Sequence, residues 1–364
     1  MNNEKVAPVG SRISGCGTSS PAYLRALPGF DSVRVRGVAD RDPAVAAARA
    51  AEFGVPHASV DALLADPEIE LIVNLTTPKS HLEVGLAAIA AGKHVHSEKP
   101  LATTFADGAR LMAAAGAANR LVGCAPDTFL GGGHQACRRL VDEGRIGTPV
   151  GGTATFMCPG HERWHPNPDF YYHTGGGPML DMGPYYLTAL VNLLGPVRSV
   201  AGMVSTPRAT REIGSAPRRG QRITVEVPTH VTGTIRFVSG AIVQVITSFD
   251  VAGHRHTPIE LYGTEGTLLV PDPNRFGGPI EFLRTGGEWE DIPVDAPYAD
   301  GNYRGIGAAD LGQAIRTGHP HRASGALALH VLEVMEAFGL SSESGRHIAI
   351  ETSVERPAPL VALT

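Results

Sequence analysis

Residues 9–17 read Val-Gly-Ser-Arg-Ile-Ser-Gly-Cys-Gly, a strand pattern that ends on two closely spaced glycines. Asp40 follows 23 residues after Gly17, at the end of the next strand pattern. Glycines in this place let the backbone approach a pyrophosphate at a helix N-terminus, and a carboxylate after the second strand accepts ribose hydroxyls. Although Ser20 replaces the third glycine of the fingerprint, the spacing predicts a dinucleotide-binding turn.

The residues that follow this turn alternate between short apolar runs and helical patterns as far as residue 123. This alternation is typical of βαβ units around a parallel sheet. We expect strands at 33–39, 71–75, around 95 and at 121–123. We expect helices at 43–53, at 81–91 with Ser80 as the N-cap, and from Thr103 or Thr104 to about 118.

The pattern of apolar and polar residues changes after residue 125, and the new pattern predicts an α+β domain. Expected strands are 150–157, 197–204, 229–237, 241–249, 259–262 and 267–270, mostly antiparallel. Expected helices are 138–143, one from the triple glycine 175–177 to Gly195-Pro196, 308–316 and 326–338. Residues 205–222 are predicted to be a mobile loop. We therefore expect two domains, residues 1–125 and residues 126–364.

The length of 364 residues suits two domains that each bury a core. A net charge of -5 offers no basic face, so nucleic acid is not expected as a partner. The four cysteines show no C-x-x-C spacing and are expected to be reduced thiols. No apolar stretch is long enough for a membrane span and no leader pattern is seen, so we expect no membrane partner and a cytoplasmic protein.

Several short motifs together resemble the Gfo/Idh/MocA oxidoreductase family. They are Asp40-Arg41-Asp42-Pro43, Thr77-Pro78 with His81, Ala91 to Val95 leading into Glu98-Lys99-Pro100, and Gly175-Gly176-Gly177 before Asp181-Met182-Gly183. The resemblance implies an α/β protein with an N-terminal doubly wound Rossmann domain and a C-terminal domain with an open, mostly antiparallel sheet. It also implies a nicotinamide cofactor and a sugar or polyol substrate.

The resemblance assigns roles to particular residues. Lys99 of the Glu-Lys-Pro corner is expected to contact both the nicotinamide ribose and the substrate hydroxyl, at a backbone corner that Pro100 restricts and whose bond can be cis. We expect NAD rather than NADP, because Asp40 would repel a 2′-phosphate. The expected cofactor-binding residues are Gly15, Gly17, Thr18, Ser19, Asp40, Arg41, Thr76, Pro78, His81, Glu98 and Lys99.

The acid/base positions depart from the family pattern. Relatives carry an Asp followed four residues later by a His, and these positions are Asp181 and Tyr185 here. Residues four apart share a helix face, and a phenol can exchange a proton as an imidazole does. Its reference pKa of about 10 would have to be lowered. If Asp181 is the helix cap, Pro184 and Tyr185 fall in the first turn. Lys99, Asp181 and Tyr185 are the expected catalytic residues, and the alternative is Tyr185 as a packed aromatic and Asp181 as a plain cap.

The segment His161-Glu162-Arg163-Trp164-His165 matches the H-E-x-x-H pattern of zinc peptidases. That chemistry requires a helix, and the prolines on both sides argue against one, so we expect no metal. The segment is better interpreted as a loop at the active-site mouth. The expected substrate-binding residues are Lys99, Trp164, His165, Tyr172, His173, Asp181 and Tyr185, and a loop ordered only for packing or subunit contact is the alternative.

The resulting hypothesis is an NAD-dependent oxidoreductase acting on a secondary alcohol or ketone of a sugar, glycoside or polyol. Two alternatives stay open. One is a redox-neutral glycosidase or lyase that works through a transient keto-sugar, and the other is a non-catalytic sugar sensor. We also expect a homodimer or homotetramer that buries the open sheet of the C-terminal domain.

Overall fold

The computed structural model describes residues 7–363. They form two compact units, the first made of residues 7–131, 300–329 and 357–363, and the second made of residues 132–299 and 330–356. The first unit therefore holds two C-terminal segments that the expected boundary after residue 125 assigned to the second domain. The physical reason lies in one late helix, which packs on the sheet of the first unit.

The described residues contain nine α-helices and sixteen strands, numbered here in chain order. The helices are α1 Ser20–Ala26, α2 Pro43–Phe53, α3 Val60–Ala65, α4 His81–Ala90, α5 Phe105–Ala117, α6 Gly132–Asp142, α7 Pro178–Leu194, α8 Ile306–Thr317 and α9 Gly325–Ser344. The strands are β1 Val9–Ser14, β2 Val33–Ala39, β3 Leu71–Asn74, β4 His94–Ser97, β5 Val122–Cys124, β6 Pro149–Met157, β7 Val197–Ser205, β8 Thr210–Glu212, β9 Arg222–Thr224, β10 His230–Phe237, β11 Ile242–Ser248, β12 Ile259–Gly263, β13 Gly266–Val270, β14 Glu281–Arg284, β15 Trp289–Asp291 and β16 Ile348–Ala349.

The first unit is built on a five-stranded parallel sheet with the order β2-β1-β3-β4-β5. This confirms the predicted doubly wound arrangement. The direction of winding reverses between β1 and β3, and in such sheets ligands bind beyond the carboxyl ends of the strands at that point. The turns that follow β1, β2, β3 and β4 all lie at this edge.

Helix ends in the first unit agree with the predicted capping at α5 but not at α4. Asp42 accepts a hydrogen bond from the Ala44 N–H at the start of α2, and the left-handed Gly54 ends that helix. Thr104 caps α5 through the Asp107 N–H. Ser80 makes no side-chain cap for α4, because a 3-10 turn over Pro78–Ser80 runs directly into the helix.

Helix α8 belongs to the first unit although it follows β5 by more than 180 residues. The buried carboxylate of Asp127 accepts hydrogen bonds from the Gly305 and Gly307 N–H groups, at 2.7 and 3.0 Å, and so holds the start of the helix. A Cβ at Gly312 would lie 2.5 Å from Val33, so the helix backbone runs directly against the sheet.

The second unit is built on a nine-stranded sheet with the order β15-β14-β13-β12-β6-β11-β10-β7-β16. Only β6 and β11 pair in parallel, so the predicted open and mostly antiparallel sheet is confirmed. Helices α7 and α9 cover one face, where Phe338 packs closely on Gly202 and Gly233. On the other face Met203 is 73% exposed and Ile242 is 45% exposed.

Strands β8 and β9 form a small hairpin where a mobile loop was predicted. The Arg211 side chain of β8 is 1% exposed and forms ion pairs with Glu162 and Asp250. The prediction is therefore wrong for this part of residues 205–222, because buried contacts with distant residues order a segment of low apolar content.

Among residues 7–363, no helix combines the length and the apolar character that a membrane crossing requires.

Candidate active site

The turn after β1 has the backbone geometry of a phosphate cradle. Gly15 has φ of +97°, and a Cβ there would lie 2.6 Å from the Leu75 carbonyl, so the position requires glycine. Gly17 is exposed and has open space where a side chain would stand. Thr18 and Ser19 are also exposed and lead into α1. An open backbone turn at a helix start fits a pyrophosphate.

Asp40 lies beside this turn at the carboxyl end of β2. Its Oδ2 accepts the Cys16 N–H at 2.8 Å and its Oδ1 accepts the Asp42 N–H at 2.9 Å, so the carboxylate has a fixed orientation. Each oxygen keeps a second lone pair for a ribose hydroxyl. Burial, and then the charge of Asp40, raise the pKa of Cys16 to about 11, so this thiol adds no negative charge. The residues present therefore fit NAD, and Arg41 is exposed next to them.

Arg49 of α2 is a residue at this turn that the sequence did not indicate. Its guanidinium donates to the Cys16 carbonyl at 3.2 Å and to the Gly17 carbonyl at 3.3 Å. It also pairs with Glu52 on the same helix. These two bonds fix the orientation of the Cys16 and Gly17 carbonyl groups, which point toward Arg49. No sequence signal marks this role, since an arginine in an alanine-rich helix is ordinarily a solvated residue.

The turn after β3 is joined to the Glu98-Lys99-Pro100 corner by His81. The side chain is fully buried, and its ring nitrogens lie 3.0 Å from the Thr76 carbonyl oxygen and 2.7 Å from the Pro100 carbonyl oxygen. Burial is the main cause that lowers the pKa of His81. The predicted cofactor contact of the His81 side chain is wrong, because the ring is fully buried and both nitrogens face backbone carbonyl oxygens, of which a neutral ring donates to one. Thr76 and Pro78 remain partly exposed in this turn.

The Glu98-Lys99-Pro100 corner follows β4, and its Lys99-Pro100 bond is cis, as the sequence allowed. Glu98 accepts hydrogen bonds from the Tyr23 hydroxyl and from the Lys99 N–H, both at 2.9 Å. Its carboxylate therefore fixes the Lys99 backbone, and because Glu98 is partly exposed its predicted contact with the cofactor stays a prediction. Tyr23 of α1 was not foreseen, since its partner lies 75 positions away.

In the second unit, Asp181 and Tyr185 lie one turn apart on α7. The helix begins directly after the triple glycine, as predicted, at Pro178 with Gly177 as the N-cap, and the Asp181 N–H donates to the Gly177 carbonyl. Asp181 is thus in the first turn and is not the cap, and Pro184 and Tyr185 lie beyond that turn. A first-turn carboxylate still gains from the positive end of the helix. Tyr185 is 8% exposed.

Asp181 is met by a histidine from a different segment. The His161 Nε2 lies 3.0 Å from the Asp181 Oδ2, and the Trp164 Nε1–H donates to the His161 Nδ1 at 3.2 Å. His161 belongs to the segment interpreted as a loop at the active-site mouth, but it was not itself predicted as a site residue, because its 20-residue separation from Asp181 hides the pairing in the sequence.

The H-E-x-x-H segment forms only a 3-10 turn over His161–Arg163. Glu162 is buried and pairs with Arg211. Within residues 7–363 no group of three or more His, Cys, Asp or Glu side chains is arranged to hold a metal ion. The argument from the flanking prolines against a helix is confirmed.

Two family models together match more than half of the chain. Residues 11–125 match the model described as an oxidoreductase family with an NAD-binding Rossmann fold, and residues 134–269 match the GFO/IDH/MocA C-terminal domain. The chain belongs to the GFO/IDH/MocA oxidoreductase family. The resemblance inferred from the short motifs is thereby confirmed, and so is the expectation of a nicotinamide cofactor.

Two curated relatives of the chain have names that refer to sugars. The 1,5-anhydro-D-fructose reductase of Ensifer adhaerens is 32% identical over 229 residues, which cover 61% of this chain and 64% of the relative. The dTDP-3,4-didehydro-2,6-dideoxy-alpha-D-glucose 3-reductase of Saccharopolyspora spinosa is 31% identical over 280 residues, 74% of this chain and 77% of the relative. A solved NAD binding oxidoreductase from Klebsiella pneumoniae shares the fold, with a TM-score of 0.82, 24% identity and coverage of 94% and 99%.

Among the predicted substrate-binding residues, this GFO/IDH/MocA chain places Tyr172 in its core. Tyr172 is fully buried, its hydroxyl donates to Glu162, and burial is the main cause that raises its pKa. The predicted direct contact of Tyr172 with the substrate is therefore wrong. Trp164 is 61% exposed, and His165 and His173 are partly exposed, so these three remain available as predicted.

Proposed function

We propose that this protein is an NAD-dependent oxidoreductase for a secondary alcohol or ketone of a sugar, glycoside or polyol. The observation that carries the proposal is the fixed Lys99 corner at the carboxyl end of β4, in the same sheet whose β1 turn and Asp40 fit the dinucleotide. The names of the two curated relatives, a 1,5-anhydro-D-fructose reductase and a dTDP-sugar 3-reductase, support a carbohydrate substrate.

Each residue of the first unit has a defined task in this proposal. Gly15 and Gly17 let the backbone approach the diphosphate, and Asp40 accepts ribose hydroxyls. When bound, the nicotinamide supplies the hydride chemistry. The partly exposed Lys99 side chain donates to the substrate oxygen and to the nicotinamide ribose, which holds the reacting carbinol carbon in place. Glu98 and His81 keep this corner rigid.

Asp181 and Tyr185 are proposed to handle the alcohol proton together with Lys99. A carboxylate in the first turn of α7 and a phenol on the same helix face present an acceptor and a donor to one hydroxyl. During oxidation the substrate O–H gives its proton to this group of residues, and during reduction the same residues return a proton to the oxygen that forms.

The test is a panel of sugars, inositols and glycosides assayed with NAD and with NADP at the NADH absorbance. Lys99→Met should lower turnover by about 100-fold or more, because general acid/base groups contribute about that much. NAD binding, measured by protein fluorescence, should be retained. Lys79→Met, an exposed lysine in the turn after β3, is the matched control and should keep wild-type turnover.

Unchanged turnover in Lys99→Met would overturn the assignment of Lys99. Conversion of a glycoside without accumulation of NADH would instead favour a redox-neutral reaction. Binding of sugars without any conversion across the panel would favour a sensor.

We further propose that two copies of the chain associate through the uncovered face of the nine-stranded sheet, as a dimer or within a tetramer. Met203, Thr232 and Ile246 lie side by side in one row across β7, β10 and β11 on this face.

The proposed location is the cytoplasm, in keeping with four cysteines that are all free thiols.

A further inference from the structure

The Asp181 carboxylate contacts an imidazole from outside its own helix. His161 lies in the 3-10 turn that follows β6, and its Nε2 approaches the Asp181 Oδ2 to 3.0 Å. The two side chains are 14% and 16% exposed, so water screens this contact weakly. The same imidazole contacts Trp164 through its other nitrogen.

The Trp164 contact defines which nitrogen of His161 carries the proton. An indole N–H can only donate a hydrogen bond, so the His161 Nδ1, 3.2 Å from the Trp164 Nε1, must accept. An Nδ1 that accepts has no proton, and the proton of the neutral ring is therefore on Nε2. The Nε2–H then donates to the Asp181 Oδ2.

The ring is held in this orientation by aromatic contacts on several sides. Ring centroids lie 4.5 Å away for Tyr171, 4.7 Å for Phe249 and 5.4 Å for Trp164. The titratable groups that contact it are Asp181 on α7 and His165 and Tyr171 in the same loop, and the charged Glu162 and Arg211 connect to its backbone through the Tyr172 hydroxyl.

The backbone of His161 is anchored as firmly as its ring. The His161 N–H donates to the Tyr172 hydroxyl at 3.2 Å, and that hydroxyl donates to the buried Glu162. Glu162 accepts from Arg211 of β8 at 3.1 Å. The β8–β9 hairpin thus supports the turn that presents the imidazole.

We propose that His161, in its Nε2–H tautomer, is a positioning residue for Asp181, and that Trp164 enforces this tautomer. The proposal rests on the proposed function, because it treats Asp181 as part of the proton-handling group. The hydrogen bond fixes the rotation of the carboxylate and stabilises its ionised form. Protonation of the Nδ1 would remove the acceptor of the Trp164 N–H and separate the exposed indole from the imidazole.

A pair of variants separates this role from simple packing. The side-chain nitrogen of a glutamine occupies about the place of the imidazole Nε2 and can donate to Asp181, whereas leucine of similar size cannot. We expect His161→Leu to lower kcat by about 10- to 100-fold, since a small misplacement of a reacting group costs about that much. NAD affinity should be unchanged, and His161→Gln should restore kcat to within about fivefold of wild type.

The control is His254→Gln, an exposed histidine of the same unit that lies outside the proposed machinery, and it should behave as wild type. Equal losses in His161→Leu and His161→Gln would show a packing role and overturn the proposal. Full activity in His161→Leu would overturn it as well.

A second measurement needs no substrate and so separates this proposal from the proposed function. Side-chain nitrogen NMR of the free protein labelled with ¹⁵N-histidine, assigned with His161→Gln, should show a protonated Nε2 and a bare Nδ1 for His161 at pH 7.5. Trp164→Phe should shift that tautomer population. A protonated Nδ1 in the wild type, or no change in Trp164→Phe, would contradict the proposal even if sugar oxidation is found.

Discussion

At the scale of single residues, Asp40 combines a structural task with a proposed role in cofactor selection. Its two oxygens accept the backbone N–H groups of Cys16 and Asp42, and in the proposed function the same negative charge lies beside the adenosine ribose. A 2′-phosphate would meet this charge at close range, whereas ribose hydroxyls donate to it. The preference for NAD should therefore depend on this one carboxylate.

We expect Asp40→Ser to raise the ratio of kcat/KM for NADP to kcat/KM for NAD by about tenfold or more, since removing a like-charge contact is worth about 1 to 2 kcal/mol. The exposed Arg41 then becomes available to the phosphate. The measurement is steady-state kinetics with both cofactors. Asp42→Ser is the control, because serine keeps the cap of α2 and the ratio should not change. An unchanged ratio in Asp40→Ser would contradict the role of Asp40.

At the scale of elements, the nine-stranded sheet has one covered and one uncovered face. If two copies associate through the uncovered face, Met203→Glu places a carboxylate in the contact and should convert the assembly to single chains. Burying an unpaired charge costs several kcal/mol, which is more than one side chain contributes to an interface. Light scattering of the purified protein gives the mass.

Val238→Glu is the matched control, since Val238 is 60% exposed but follows the end of β10. A wild-type protein that is already a single chain at all concentrations would rule out the proposed assembly. So would a Met203→Glu variant that keeps the wild-type mass.

The elements predicted well are those specified by their own residues. Helix α2 matches the prediction to the residue, because Asp42, Pro43 and Gly54 mark both of its ends locally. The β8–β9 hairpin was missed because its order depends on Arg211 meeting Glu162 and Asp250, which lie 49 and 39 positions away.

The candidate site divides in the same way. The glycine turn and the Glu98-Lys99-Pro100 corner could be predicted from adjacent letters. The contacts of His161 with Asp181 and of Arg49 with the Cys16 carbonyl could not, since only the folded chain brings these residues together.

At the scale of the whole molecule, burial of histidines makes stability depend on pH. Burial lowers the pKa of His96 to about 3 and that of His94 to about 4. The unfolded chain binds protons at these positions near pH 6.5, whereas the folded chain does not, so the free energy of unfolding falls as the pH drops below that value. Asp127 acts in the opposite direction, because burial raises its pKa to about 6.

We expect Tm to fall between pH 7 and pH 5, and a buried histidine such as His96 should contribute about 2 kcal/mol to that loss. His96→Leu should reduce the fall in Tm, since both ring nitrogens of His96 lack a hydrogen-bond partner among the described residues. Asp127→Asn should make the fall steeper by removing the opposing effect. Scanning calorimetry at the two pH values measures both changes, and identical shifts in wild type and His96→Leu would refute the explanation.

The position of α8 in the chain bears on how the protein emerges from the ribosome. The five-strand sheet is synthesised by residue 124, but the helix that Asp127 holds against it starts only at Ile306. An apolar surface of the nascent chain therefore stays uncovered while about 180 further residues are made, at roughly 5 to 20 residues per second. For that interval of some 9 to 36 seconds, the first unit is a natural client for a chaperone that shields apolar surface.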